Sequence, residues 1–183
     1  GADSGPPDDG DDQRLVEGTI LRGREFEPVE GRVVVEDGQI AAIEAEPVDS
    51  DDIVLPAFVN AHTHIGDSIA KEAGGGLSLE ELVAPPDGLK HRLLRQASTE
   101  ETIAAMHRSL EFMAEAGTAA HIEFREGDVA GVREIRAAGE NVPVDSVVLG
   151  RGSTDAMHAA DGYGASGTND ADFERERAAT ARE

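Results

Sequence analysis

Residues 55–66 read Leu55-Pro-Ala-Phe-Val-Asn-Ala-His-Thr-His-Ile-Gly66, and this stretch decides how the rest of the chain is organised. It is an apolar run that ends in two histidines with one residue between them. Side chains two apart on a strand point the same way. A strand over Val54 to Asn60 therefore delivers His62 and His64 together from its C-terminal end, an arrangement in which two imidazoles grip one metal ion. Paired histidines at a strand end are also common as plain polar pairs. The apolar approach and the β-rich segment before it are what single this pair out.

Working back from that strand, residues 14–22 have strand composition. Val33 to Glu36, then Asp37-Gly38, then Gln39 to Glu44 predict a hairpin, because Asp-Gly tolerates the positive φ angles of a tight primed turn. Residues 1–13 are acidic and rich in Gly and Pro, and a disordered tail is expected there. Residues 14–52 then form a small β domain.

Working forward, the chain alternates strands and helices, which implies a parallel sheet. Residues 66–90 are a long connection containing Gly74-Gly75-Gly76 and Pro85-Pro86. A substrate lid and a plain surface excursion both fit it. Ser78-x-x-Glu81 and Ser98-x-x-Glu101 are capping boxes. The second opens a helix with Ile103, Met106, Leu110 and Met113 on one face, ended by Gly117. A strand at 118–125 follows, then a helix from Asp128 to near Gly139 with Val129, Val132 and Ile135 inward. Val144 to Leu149 reads as a strand buried on both faces. A short strand at 161–166 and a helix over 173–183 complete the order.

Composition bounds the function. The chain has 183 residues, 38 acidic and 16 basic, for a net charge of -22, and its lysines are Lys71 and Lys90. Acid-rich, lysine-poor composition of this kind resembles that of proteins from salt-loving microbes. A disordered acidic protein is the alternative, and 39% apolar residues in periodic segments argue against it. Such a charge repels nucleic acid and anionic lipid, so neither is an expected partner. Cysteine is absent, so a metal must sit on His, Asp or Glu. No apolar run approaches the ~20 residues of a membrane helix. A soluble, cytoplasmic protein is expected.

Residues 53–66 resemble the first barrel strand of the amidohydrolase superfamily: an apolar run, Pro, a small residue, an apolar pair, Asn or Asp, then Ala-His-x-His. Ala57 stands where that family usually has Gly. The resemblance implies an α/β fold, the first half of a (β/α)8 TIM-type barrel preceded by strands of a small β-sandwich. Residues 53–183 would supply the first four βα units, with strands beginning near 54, 118, 144 and 161. It also implies one divalent metal, Zn or Fe, on His62 and His64, and metal-assisted hydrolysis of a C–N bond in a small-molecule substrate. The family's remaining ligands lie on later strands, a histidine after the fifth, a histidine after the sixth and an aspartate after the eighth. With two ligands alone, the 183-residue chain is expected to be inactive by itself. A non-catalytic fragment or a half-barrel assembly module is the competing reading, and an open sheet edge makes a homo-oligomer an expected possibility. Some members carry a bridging lysine at the fourth strand. Residues 161–167 contain none, which points to the single-metal, deaminase-like branch.

On the second strand, His121, Glu123 and Arg125 share one face and Ile122 and Phe124 the other. Glu123 and Arg125 are candidate substrate contacts at the barrel mouth, with a mutual ion pair as the plainer alternative. His121 is expected to be a deeper, packed histidine. His91, His107 and His158 match no pattern, and His107 is expected to be solvated. Gly162-Tyr-Gly-Ala-Ser-Gly167 has dinucleotide-loop spelling without the strand before it or the acidic residue after it, and is rejected.

Overall fold

The computed structural model describes residues 13–84, 87–165 and 173–180. The acidic tail expected at 1–13 therefore lies outside the described residues except for Gln13. The chain divides into two units, one ending at Pro56 and the other beginning at Ala57.

The first unit is one four-stranded sheet. Its strands are β1 (Arg14–Arg22), β2 (Glu27–Glu36), β3 (Gln39–Ala45) and β4 (Ile53–Val54), in the order β3-β2-β1-β4. β1, β2 and β3 pair antiparallel, and β4 adds parallel to β1. Asp37 and Gly38 have φ of 50° and 73°, as a primed turn between β2 and β3 requires. The hairpin is longer than its Val-rich centre suggested, since β2 already begins at Glu27. Among the described residues there is one sheet here and no facing second layer.

The second unit opens with β5 (Phe58–Thr63) and a 3₁₀ turn at Ile65–Ala70. Three helices follow, α1 (Leu79–Val83), α2 (Leu89–Gln96) and α3 (Thr99–Glu115). Then come β6 (Thr118–Arg125), α4 (Asp128–Ala138), β7 (Asp145–Gly150), α5 (Thr154–Ala159), β8 (Gly162–Tyr163) and α6 (Phe173–Thr180). The four strands are parallel, in the order β5-β6-β7-β8. Both capping boxes form: the Ser78 and Ser98 hydroxyls each accept from the backbone N–H three residues on, and Glu81 and Glu101 reach back. The Ser-x-x-Glu spelling was sufficient to place both helix starts.

The strand expected over Val54 to Asn60 is in fact two. Ile53–Val54 belongs to the first sheet and Phe58–Thr63 to the second, with Pro56 between them. Proline has no N–H to give to a ladder and biases the residue before it, so the run breaks there.

The core of the second unit is made by Met106 and Leu110 of α3, Val132 and Ile135 of α4, and Val148 of β7, all at most 1% exposed. Helices thus cover one face of the sheet. The Val144 to Leu149 run was expected to be buried on both faces and is buried on one. Val148 points into the helices, while Val147, on the other face, is 43% exposed. The side chain of His107 is 40% exposed, as a solvated histidine should be, but its Nδ1 also lies 2.8 Å from the carbonyl of Ala138 and ties α3 to the end of α4.

Candidate metal centre

β5 ends where the sheet's parallel strands all end, and the residue just past each strand meets its neighbours. His64 follows β5, Glu126 follows β6 and Arg151 follows β7. Glu126 Oε1 lies 3.4 Å from His64 Nδ1 and 2.9 Å from Arg151 Nη1. Lys90, from α2, sits 3.8 Å from the same oxygen and 2.7 Å from Asp67. Parallel strands in α/β folds carry their sites at this end, because the loops there converge.

His62 and His64 bring their Nε2 atoms to 3.2 Å. Their rings meet edge to face, with centroids 5.1 Å apart. Phe124 of β6 stacks on His62 at 4.4 Å between centroids, and its ring lies 5.8 Å from that of His64. The donor set fits a divalent ion. Zn–N bonds of ~2.0–2.1 Å across a tetrahedral angle place two nitrogens about 3.3 Å apart. Nδ1 of His64 is buried without a hydrogen bond among the described residues, and the Glu126 carboxylate beside it is the usual companion of a ligating imidazole. Two histidines are the donors at this point, and among the described residues no group of three or more His, Asp or Glu side chains surrounds a common centre.

Burial alone would raise the Glu126 carboxyl. Lys90, Arg151, its own backbone N–H and His64 outweigh that and hold it below the usual carboxylate range. Glu126, Lys90, Asp67 and Phe124 were not singled out from sequence. A usable signal existed for Glu126, the first residue beyond a predicted strand.

Glu123 and Arg125 require a correction. They share a face with His121, as alternation predicts, but that face looks toward the helices and not toward His62, His64 and Phe124. Glu123 is 0% exposed and accepts from the Thr63 hydroxyl at 2.7 Å and the Ile65 N–H at 2.9 Å through Oε2, and from the Gly66 N–H at 3.3 Å through Oε1. Burial pushes its carboxyl up, against the pull of these hydrogen bonds and of Arg125. Arg125, 5% exposed, donates to the Gly131 carbonyl at 3.0 Å and to Glu134 at 2.8 Å. The two therefore bond to other partners and not to each other. The polar pattern was legible, and which face lay under the helices was not.

His121 is the packed histidine expected. It is fully buried between Thr63 Oγ1 at 2.9 Å and Ser146 Oγ at 2.7 Å, and burial lowers its pKa. In the long connection, Lys71 and Lys90 line one cavity of about 210 Å³ with Asp67, Leu82, Val83 and Leu93.

The chain is 41% identical over 141 residues to a protein of Methanothermobacter thermautotrophicus named by inference as an aminohydrolase, covering 73% of this chain and 37% of that one. An uncharacterised protein of Methanocaldococcus jannaschii is 31% identical over 169 residues, covering 85% and 44%. The chain thus spans less than half the length of these relatives. Among solved structures, guanine deaminase from C. acetobutylicum with bound guanine superposes with a TM-score of 0.52 at 13% identity, covering 79% of this chain and 38% of that one. E. coli guanine deaminase gives 0.52 at 14%, covering 81% and 41%. At such identities the likeness is one of fold. The amidohydrolase family matches residues 53–183, the stretch that holds both histidines and the whole parallel sheet, and the chain belongs to that family.

Proposed function

We propose that this chain supplies the first four βα units of a barrel hydrolase that cleaves C–N bonds in a small-molecule substrate, in the manner of a deaminase. His62 and His64 would hold one divalent ion, Zn²⁺ or Fe²⁺. The observation that carries this reading is the 3.2 Å approach of the two Nε2 atoms at the C-terminal end of the first parallel strand. Such an ion, when held there, would lower the pKa of water beside it towards neutral and would polarise the substrate. The protein's own part is orientation. Phe124 backs the His62 ring, Glu126 faces His64 Nδ1, and Lys90 and Arg151 keep Glu126 charged. The cavity holding Lys71 and Lys90 supports a substrate-side role for the connection after β5. A net charge of -22 argues against a nucleic-acid partner. No helix among the described residues is long and apolar enough to cross a membrane.

Two histidines are one short of the three protein ligands usual at a catalytic zinc. Residues 1–183 by themselves should therefore bind metal weakly and turn over no amide or amidine. A second reading, a half-barrel assembly module, is favoured by one observation: the sheet face away from the helices is open at Val147, and β5 exposes Phe58 and Val59. The test is a chain extended to complete the barrel, assayed for metal-dependent hydrolysis and for metal content. Turnover that His62→Ala abolishes supports the hydrolase. An extended chain that folds, holds no metal and is inactive favours the assembly module.

A further inference from the structure

We propose that Glu123 is a positioning residue for the histidine pair, acting through Thr63 and the turn after His64; this rests on the metal reading above. Thr63 lies between the two histidines and, by strand alternation, points to the opposite face. Its hydroxyl meets Glu123 Oε2, and the next two free amides, of Ile65 and Gly66, also close on the Glu123 carboxylate. Three of Glu123's contacts thus come from residues that flank His64 on both sides. His64 itself has φ of -133° and ψ of 58°, neither helical nor fully extended, so its backbone is set by what holds its neighbours.

The Ile65 and Gly66 amides are the unpaired donors that begin the 3₁₀ turn, and a carboxylate is the strongest acceptor for them. The clamp is braced from behind. Neutral His121 can donate from Nδ1 to the Thr63 hydroxyl and accept at Nε2 from Ser146 of β7, which joins β5, β6 and β7 in one buried network. Gly66 is pressed against Arg125: a Cβ there would stand 1.6 Å from Nη1. A buried carboxylate is a costly way to fill space. Its return here is local geometry, the direction in which His62 and His64 leave the strand.

Glu123→Gln keeps the shape but turns an amide donor toward either the Gly66 N–H or the Thr63 and Ile65 donors. The experiment titrates the 183-residue chain with Co²⁺, following its visible absorption, and records the imidazole resonances of the metal-free protein. Glu123→Gln should bind Co²⁺ about 10–100-fold more weakly, the usual effect of disturbing groups behind metal ligands. Its His62 and His64 resonances should also move, and Glu123→Asp, which keeps a carboxylate, should recover part of the affinity. Met106→Ala, an equally buried change outside the network, serves as the control and should leave affinity unchanged in folded protein. Wild-type affinity in Glu123→Gln, or an equal loss in Met106→Ala, overturns the proposal. If the wild-type chain binds Co²⁺ too weakly to titrate, the metal reading is decided on the chain extended to complete the barrel. The clamp is then judged on the metal-free resonances, and unchanged His62 and His64 signals in Glu123→Gln overturn it.

Discussion

Glu126 Oε1 lies 3.4 Å from Nδ1 of His64, and each residue is the first beyond the end of its own strand. The contact orients an imidazole whose other nitrogen faces His62. Replacing Glu126 by Gln keeps the volume and removes the charge. Metal affinity should fall about 10–100-fold, measured by competition with a chelator. Affinity equal to that of the wild type would show that His64 needs no partner at Nδ1.

The breaking of Arg125 from Glu134 is a separate matter, one of stability. Arg125 and Glu134 are 6% and 20% exposed at the side chain, and the ion pair is 2.8 Å long. Arg125→Met leaves Glu134 without its cation and the Gly131 carbonyl without a donor. Removing one partner of a buried pair costs on the order of 3 kcal/mol. Urea unfolding should show this loss, and Glu134→Gln in the same background should recover part of it. A change within experimental scatter would mean that the pair contributes nothing beyond its hydrophobic replacement.

Much of this was legible because local chemistry and burial agreed. The two Ser-x-x-Glu boxes are satisfied within four residues, so no distant contact could move them. The Met106 and Leu110 stripe fixed which face of α3 went inward. The histidine pair needed only strand alternation. Faces and breaks were harder. Glu123 and Phe124 alternate whichever way the strand is turned, and which side the helices cover is a property of packing between elements. Polar residues at the end of a barrel strand suggest an opening, whereas Glu123 is polar because it caps a turn. Ile53–Leu55 and Ala57–Val59 spell one apolar run, and Pro56 alone marks the break between the two strands. The meeting of His64, Glu126 and Arg151 depends on strand register, which one sequence shows only after the strands are aligned.

Asp161 offers a pH test. Its Oδ2 accepts from the Val148 N–H at 2.8 Å and its Oδ1 from Arg136 at 3.0 Å. Burial works to raise its carboxyl pKa, and these two partners more than offset that, so the folded value lies below the ordinary one. The unfolded chain therefore binds the proton more readily. The stabilisation is present above the unfolded value of ~3.9 and is lost as pH falls through the folded value. Asp161→Asn should be less stable than the wild type at neutral pH. The gap between the two should narrow as pH drops below about 4, followed by chemical denaturation at each pH. Parallel curves across that window would remove Asp161 from the acid response.

The last prediction concerns salt. The chain carries 38 acidic residues against 16 basic ones. Several of the basic groups are already engaged. Arg32 meets both Glu44 at 2.7 Å and Glu46 at 2.9 Å, and Lys90 and Arg151 share Glu126. The surplus carboxylates repel one another, and this repulsion is partly relieved on unfolding. Screening governs its size: the Debye length is ~3 Å at 1 M salt and ~30 Å at 0.01 M. Exposed favourable pairs such as Arg32 with Glu44 are weakened by the same salt, but pairs this exposed contribute little to stability. Repulsion summed over the surplus should therefore decide the sign. The melting temperature, followed from 0.01 M to 1 M salt, should rise with concentration. Sodium chloride should produce most of the rise, since screening depends on charge, whereas a rise confined to sulfate would point to stronger apolar burial instead. A flat profile, or a higher melting temperature at low salt, would mean that the ion pairs outweigh the surplus and that the acid-rich composition is no adaptation to salt.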